Sequence, residues 1–156
     1  MSVANQDIAF MQQAVQLAKQ AQEKGEVPVG AVLTHNNRII GEGFNRRESQ
    51  QNPLGHAELF ALQQAANHLQ QWRLLHCTLY VTLEPCPMCA GALVNSRVSR
   101  LVFAAADPKS GACGSVMQLC QHPKLNHQLQ VDSGVLATQC AQLLQTFFKQ
   151  LRHTHS

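Results

Sequence analysis

Residues 78–89, with the sequence TLYVTLEPCPMC, decide the fold because they join a predicted strand to a predicted helix. The first six residues predict the strand, and a turn follows them. A helix is expected to begin near Pro87, since proline lacks the N–H that would be unpaired at the first helical position. Cys86 then falls at the start of this helix, and Cys89 lies on the same face one turn later. Both sulfurs can therefore reach a single metal ion.

Upstream, His56-Ala57-Glu58 supplies the remaining groups of a metal site. One histidine and two cysteines make three zinc ligands, so a tetrahedral ion would keep one position for water, as in catalytic zinc sites. Side chains two residues apart point to opposite sides of an ideal helix. His56 and Glu58 can therefore share an ion only beyond the N-terminal end of their helix. We predict that the helix N-termini near His56 and Cys86 converge on the metal ion, where their dipoles favour thiolate.

This combination of residues predicts a hydrolytic deaminase. The pattern H-x-E followed by P-C-x-x-C is the signature of the zinc-dependent nucleobase deaminases. Zinc lowers the pKa of water towards about 7, which makes a nucleophile available at neutral pH. Glu58 is expected to pass the water proton to the ring nitrogen beside the attacked carbon and to deliver a second proton to the departing amine. Because it must exchange protons, Glu58 is not expected to bind the metal ion.

Two other interpretations of the C-x-x-C motif are weaker. A zinc knuckle would need a second C-x-x-C, which the chain lacks, and a thioredoxin-like redox pair would not explain the upstream His-x-Glu. The remaining cysteines are predicted to be small buried hydrophobic residues and not ligands. They are Cys77, Cys113, Cys120 and Cys140.

The composition fits one globular domain, residues 1–156, with its own hydrophobic core. Hydrophobic residues make up 45% of the chain, and no stretch approaches the roughly 20 apolar residues of a membrane span. The N-terminus lacks the basic-then-apolar order of a secretory signal, so a cytoplasmic location is expected, where thiols stay reduced. The net charge of +3 permits a polyanionic partner without requiring one.

Periodicity and turn residues predict alternating helices and strands along the chain. Helices are expected at residues 6–24, 56–69, from 87 and at 134–151, with a short helical turn at 116–120. Strands are expected at 29–33, 39–44, 78–83, 98–104 and 127–131, with loops at 45–55 and 107–114. The first two strands form a hairpin around Asn36-Asn37, since asparagine tolerates positive φ. The alternation indicates an α/β layer architecture.

Several stretches, spread from about residue 7 to 152, closely resemble the bacterial tRNA-specific adenosine deaminases. They are EVPVGAV at 26–32, HAE at 56–58, TLEPCPMCAGA at 82–92, DPKSGA at 107–112, HP at 122–123, NH at 126–127 and FF at 147–148. The resemblance implies a cytidine deaminase-like fold, a three-layer α/β/α arrangement with a mixed five-stranded sheet between helices. It also implies a homodimer that converts the wobble adenosine of a tRNA anticodon, that of the arginine tRNA, to inosine.

The resemblance also assigns roles to residues by position. His56, Cys86 and Cys89 would hold one Zn²⁺ per subunit, and Glu58 would shuttle protons. Asn45 is similar to the asparagine that hydrogen-bonds the target nucleoside. The remaining substrate contacts that the resemblance implies are Glu26, Val27, Asp107, Lys109, Phe147 and Phe148. Core packing of an amphipathic helix explains one of the two phenylalanines equally well.

An RNA loop suits this chemistry because a duplex hides the reactive carbon, whereas an anticodon loop offers unstacked bases. Contacts with RNA phosphates are one interpretation of the basic residues, and scattered solvated charges are the other. These residues are Arg46, Arg47, Lys109, Lys149 and Arg152. The chain departs from the family pattern at Leu54-Gly55 and at Ala106, which leaves the metal chemistry untouched but weakens inference about substrate affinity and sequence context.

Two other functions stay open on the sequence. A free-base or nucleoside deaminase, such as a guanine deaminase, would use the same ion and Glu58, because Pro-Cys-Pro-Met-Cys occurs in such enzymes too. A non-catalytic deaminase-fold subunit would only bind RNA, but it would need no proton shuttle. The end at His153-Thr154-His155 is expected to be a disordered tail and not a second metal site.

Overall fold

The computed structural model describes residues 3–154, which form four helices and five strands. The helices are α1 (Val3–Glu23), α2 (Ala57–Leu69), α3 (Pro87–Asn95) and α4 (Ala137–Thr154). The strands are β1 (Gly30–His35), β2 (Arg38–Phe44), β3 (Cys77–Leu83), β4 (Arg100–Ala105) and β5 (Gln130–Ser133). None of the four described helices is long and apolar enough to cross a membrane.

The strands form one mixed sheet in the order β2-β1-β3-β4-β5. Strand β1 runs antiparallel to both of its neighbours, β2 and β3, whereas β3, β4 and β5 are parallel to one another. In the register of the parallel pair, Leu83 at the end of β3 lies opposite Ala105 at the end of β4. The segments that follow these two strands therefore start side by side at one edge of the sheet.

Alternate residues of the central strands point to opposite faces of the sheet, and each face is covered by helices. Leu79 and Val81 of β3 belong to the core beneath α2 and α3, while Tyr80 belongs to the core beneath α1 and α4. The mixed five-stranded sheet between helices is the three-layer α/β/α arrangement that the resemblance implied, and that prediction is confirmed.

Two glycines of β2 allow α2 to lie unusually close to the sheet. A Cβ atom at Gly41 would overlap the carbonyl oxygen of Ala61, and one at Gly43 would overlap the carbonyl oxygen of Ala57. Only glycine fits at such a close approach of two backbones. Because these positions lack side chains, the first turn of α2, which contains Glu58 and follows His56, can lie close to the sheet.

The predicted hairpin is confirmed, with Asn36 and Asn37 at φ 52° and 61° in a two-residue turn between β1 and β2. The predicted helical turn at 116–120 is wrong. The chain there folds back on itself, so that Cys113 and Gln118 form an antiparallel bridge. The physical reason is that this segment pairs with residues 111–114: the Leu119 N–H donates to the Ala112 carbonyl, and the Met117 carbonyl accepts from the Gly114 N–H. The φ of 133° at Gly114 allows the chain to reverse just before the segment.

The other errors concern the ends of elements. Helix α1 begins at Val3 and not at residue 6, β1 extends to His35 and not to residue 33, and β4 starts at Arg100 and not at residue 98. The last strand lies at Gln130–Ser133 and not at 127–131, because Leu129 N–H donates to the Cys120 carbonyl and leaves the ladder to start one residue later. Helix α4 begins only at Ala137, since Gly134 and Leu136 both have positive φ. It continues to Thr154, so the expected disordered tail is helical there, and residue 155 lies outside the described residues.

Candidate active site

The three predicted metal ligands meet at the N-terminal ends of two helices. His56 is the N-cap residue of α2, and Cys86 is the N-cap residue of α3 with Pro87 behind it at the start of the helix. The His56 Nδ1, Cys86 Sγ and Cys89 Sγ atoms all lie within 4.8 Å of one another. The two helix N-termini therefore converge, as the sequence predicted.

The geometry and chemistry of these donors fit a zinc ion. Tetrahedral zinc with bonds of about 2.3 Å to sulfur and about 2.0 Å to nitrogen would separate those two ligand atoms by about 3.5 Å. The observed distances from His56 Nδ1 are 3.5 Å to Cys86 Sγ and 3.4 Å to Cys89 Sγ. One nitrogen and two sulfurs are typical zinc ligands, and three of them leave a fourth position open. Glu58 is not part of this group of donors.

The pKa values of the two thiols also indicate that a cation is needed for both to ionise. A hydrogen bond from the Cys89 thiol, assisted by His56, lowers the pKa of Cys86 to about 4. The pKa of Cys89 is raised by the neighbouring Cys86 and by burial. One sulfur is therefore ionised at neutral pH while the other keeps its proton. Ionising both would require a positive charge between them, which a divalent cation provides.

Glu58 lies in the first turn of α2 with only 4% of its surface exposed. Burial raises the pKa of its carboxyl group to about 7. A carboxyl group with a pKa near neutrality can accept a proton in one step and donate it in the next. The position and the protonation behaviour of Glu58 both suit a general acid and base.

These residues lie in a cavity of about 810 Å³. His56, Glu58 and Cys86 share its lining with residues from two loops and one helix. The loop after β2 contributes Asn45, Arg47 and Glu48, the loop after β4 contributes residues 106–110, and α4 contributes Leu144, Gln145, Phe148, Leu151 and Arg152. A volume of this size is typical of sites for organic ligands.

Asn45 lines the cavity beside the start of α2. Its Oδ1 atom accepts a hydrogen bond of 2.9 Å from the backbone N–H of Ala57. This bond satisfies one of the free N–H groups at the helix start and fixes the orientation of the amide. The Nδ2 group is the end of the side chain that can donate to a ligand.

Glu26 lines the cavity too, but it is only 1% exposed and its carboxylate is engaged by protein. Its two oxygens accept hydrogen bonds from the backbone N–H groups of Glu48 and Ser49, at 3.1 and 2.6 Å. The neighbouring Val27 is half-buried in the cavity wall. The structure thus gives Glu26 contacts that its sequence position did not indicate.

Asp107 and Lys109 lie on the loop that lines the cavity after β4. The Asp107 side chain accepts hydrogen bonds from the backbone N–H groups of Lys109 and Ser110 and so stabilises the turn. Among the other basic residues, Arg47 and Arg152 line the cavity, whereas Arg46 stacks its guanidinium over the Phe44 ring at 4.3 Å.

The two phenylalanines of α4 have different environments. Phe148 is 40% exposed and lines the cavity, whereas Phe147 is 8% exposed and lies outside the lining. Their rings meet edge to face with centroids 5.3 Å apart. Phe147 therefore supports Phe148 from the protein side, and Phe148 is the ring that a ligand can reach.

Sequence reasoning missed the part played by Glu84, which it treated only as a turn residue. Glu84 is 2% exposed, lines the cavity and accepts hydrogen bonds from residues of the loop after β4. These bonds hold the pKa of its carboxyl group below the usual range despite burial. The available signal was a lone acidic residue at the end of an apolar strand, directly before Pro85.

Comparison with known proteins places nearly the whole chain in one family. Residues 5–152 match the MafB19-like deaminase family. The chain is 52% identical to the tRNA-specific adenosine deaminase of Bacillus subtilis over 94% of this chain and 91% of that protein. It is also 52% identical to the enzyme of the same name from Haemophilus influenzae, over 94% of this chain and 85% of that protein.

A solved structure leads to the same group. It comes from studies of A-to-I editing by tRNA:A34 deaminases at the wobble position of transfer RNA. The two chains superpose with a TM-score of 0.84 at 40% identity, over 87% of this chain and 99% of the other. The chain therefore belongs to the MafB19-like deaminase family, in the branch of the tRNA-specific adenosine deaminases.

Proposed function

We propose that this chain hydrolyses the wobble adenosine of a tRNA anticodon to inosine and releases ammonia. The observation that carries the proposal is the convergence of three zinc-type donors with an open fourth position beside the buried Glu58. The names of the relatives at 52% identity support the same substrate. A single deaminase domain, residues 1–156, would carry the whole reaction.

His56, Cys86 and Cys89 would hold one Zn²⁺ per subunit. When bound, zinc supplies a Lewis acid that lowers the pKa of a water molecule towards about 7. The protein's own contribution begins with the N-termini of α2 and α3, whose partial positive charge favours the ionised thiolates.

Glu58 would move the protons of the reaction. It accepts a proton from the attacking water and donates it to the ring nitrogen beside C6 of adenine. It then delivers the second proton to the exocyclic amine, which leaves as ammonia while a carbonyl remains on the ring. Its burial and its pKa of about 7 let it reverse its role between the two transfers.

The remaining lining residues would bind the RNA around the target base. Asn45 would hydrogen-bond the nucleoside through its free amide end, and Phe148 would offer an aromatic face for stacking a neighbouring base. Val27 and Asp107 lie in the cavity wall, and Lys109, with Arg47 and Arg152, offers positive charge to the phosphates. We infer that the substrate is an anticodon stem-loop, that of the arginine tRNA.

We further infer a homodimer that acts in the cytoplasm. Large apolar side chains that a second copy would cover include Leu54 and Val116, which are 57% and 53% exposed. Sedimentation of the purified protein at micromolar concentration tests the assembly, and a monomeric mass would exclude the homodimer.

The function is tested by incubating the purified protein with four substrates in parallel. They are an anticodon stem-loop with adenosine at the wobble position, the same loop with guanosine there, free adenosine and free guanine. Inosine formed only in the adenosine stem-loop, together with ammonia, is the expected result. The Glu58→Ala variant serves as the control for contaminating deaminases.

The other outcomes decide between the alternatives. Release of ammonia from free guanine or free adenosine, with the stem-loop unchanged, would identify a free-base or nucleoside deaminase. Binding of the stem-loop without ammonia from any substrate would identify a non-catalytic RNA-binding subunit.

A further inference from the structure

We propose that two buried carboxylates, Glu26 and Glu84, are positioning residues that hold the two substrate-binding loops of the cavity in place. The loops are residues 46–55 after β2 and residues 106–115 after β4. The inference rests on the proposed function, because it assigns these loops to the binding of RNA. Glu26 and Glu84 themselves would not contact the reacting atoms.

The Glu84 carboxylate accepts hydrogen bonds from both ends of the loop after β4. Its Oε1 atom accepts from the Asp107 N–H at 3.0 Å and from the Ser115 hydroxyl at 2.5 Å. Its Oε2 atom accepts from the N–H groups of Cys113 and Ser115, at 3.0 and 3.1 Å. The two ends of the loop are thus tied to one point, and the cavity-lining residues 107–110 lie between them.

Gly111 belongs to the same arrangement. A Cβ atom at this position would overlap the Glu84 carboxylate, so the loop passes directly over the carboxylate. The backbone of Glu84 is fixed in turn by its N–H, which donates to the Ala105 carbonyl at 2.8 Å. Glu84 therefore connects the ends of β3 and β4 with the wall of the cavity.

Glu26 has the equivalent role for the loop after β2. Its two oxygens accept from the N–H groups of Glu48 and Ser49, next to the cavity-lining Arg47. Glu26 itself is fixed at the end of α1, where its N–H donates to the Ala21 carbonyl. Both carboxylates lie in the cavity wall, and both direct their oxygens at backbone N–H groups of a loop.

The two loops carry Arg47, Asp107 and Lys109, three of the groups proposed to bind RNA. Release of the loops should therefore weaken substrate binding more than the chemical step. Neither loop contains the residues proposed for the chemical step. His56 and Glu58 lie at the start of α2, and Cys86 lies at the start of α3. A displacement of about 1 Å in a binding group costs up to about 100-fold. The expected signature is therefore a higher KM at nearly unchanged kcat.

Replacing Glu84 with glutamine, which has nearly the same shape, tests whether the carboxylate holds the loop after β4. In either orientation, the amide nitrogen faces two donors that formerly shared an oxygen. At the Oε1 position the Ser115 hydroxyl can rotate and accept, but the Asp107 N–H cannot. The amide nitrogen is thus expected to take that position, which releases Asp107 and leaves Cys113 bound.

The experiment measures kinetics on the wobble-adenosine stem-loop, zinc content, and hydrogen exchange of the loop amides in the same variants. For Glu84→Gln we expect a KM about 10-fold higher, kcat within about 3-fold, full zinc content and faster exchange at Asp107. For Glu26→Gln we expect the same kinetic change, with faster exchange at Glu48 or Ser49.

Matched controls separate positioning from general destabilisation. Gly111→Ala should reproduce the effect of Glu84→Gln by displacing the same carboxylate, whereas Gly91→Ala in α3 should not, since nothing lies within 4 Å of a Cβ atom there. Asp7→Asn removes a buried carboxylate outside the cavity and should lower the melting temperature without raising KM.

Three outcomes would overturn the proposal. They are a KM equal to that of the wild type in both glutamine variants, a fall of kcat at unchanged KM, and loss of zinc from Glu84→Gln. If the wild-type protein itself left the stem-loop unedited, the proposed function would fail. The hydrogen-exchange measurement would still show whether each carboxylate holds its loop.

Discussion

Two clusters of polar side chains, one on the sheet and one at the N-termini of α2 and α3, differ in how their charges are balanced. In the first, Arg100 forms two parallel hydrogen bonds of 2.9 and 2.8 Å with Asp7 and a third, of 2.9 Å, with Asp132. Tyr80 also donates to Asp7, at 2.8 Å. This cluster is self-contained, because a guanidinium faces two carboxylates and every bond joins one element of the fold to another.

The second cluster consists of His56, Glu58, Cys86 and Cys89. None of the salt bridges formed by the described residues includes any of these four. Two thiols and a buried carboxyl group lie close together there, and the pKa values of Cys86 and Glu58 move in opposite directions. The comparison teaches that a fully paired cluster stabilises the fold, whereas a cluster in which one imidazole faces two thiols and a carboxyl group is suited to a metal ion and to proton transfer.

The largest effect is expected from Glu58→Ala. Removal of a general acid and base should reduce inosine formation by about 100- to 10,000-fold, because the protons must then move through water. Zinc content should stay at the proposed one per subunit, since Glu58 does not belong to the candidate group of ligands. Single-turnover assays and elemental analysis check both points, with exposed Glu42→Ala as the control. Unchanged activity would refute the assigned role.

The next largest effect is expected from replacing a proposed metal ligand. Cys89→Ser should lose zinc and activity together, while Cys140→Ser, at an equally buried thiol outside the metal site, should keep both. A chelator should lower the melting temperature of the wild type but not that of Cys89→Ser, because bound metal stabilises only the folded state that holds it. Full zinc content in Cys89→Ser would contradict the ligand assignment.

Arg100→Met should lower the stability of the fold without lowering activity, which is the opposite of what is expected for Glu58→Ala. The substitution leaves Asp7 buried without its guanidinium, so the free energy of unfolding should fall by about 3 kcal/mol. Urea denaturation measures the loss, and kcat and zinc content should remain those of the wild type. A loss of activity in folded Arg100→Met would mean that the two clusters are coupled.

The smallest effect is on the pH dependence of stability. Hydrogen bonds from Arg100 hold the pKa of Asp7 below its ordinary value of 3.8. A lowered pKa contributes stability that is present above the ordinary value and is lost as pH falls through the lowered one. Between about pH 6 and pH 3, the wild type should therefore lose more stability than Asp7→Asn. Parallel urea curves over this range would argue against the pairing.

The parts of the fold and site that the sequence predicted depend on local signals. Pro87 after Cys86 marks a helix start, and a histidine at the start of another helix supplies the third donor, so the candidate metal site follows from two short motifs. The hairpin follows from Asn36-Asn37 in the same way. The roles of Glu26 and Glu84 do not, because their hydrogen-bond partners lie 22 to 31 residues away. The prediction of a helical turn at 116–120 is wrong for a related reason, since the backbone of that segment pairs with residues 111–114 in hydrogen bonds that the local sequence does not indicate.

The close contact between β2 and α2 has a consequence for laboratory evolution of this scaffold. A methyl group at Gly41 or Gly43 would push α2 outward and carry the imidazole of His56 away from the sulfurs. Libraries that vary these two positions to change base preference should yield few active clones, although neither glycine lines the cavity. Diversity is better placed at Phe148 and Arg152, where exposed side chains leave the zinc-binding geometry alone.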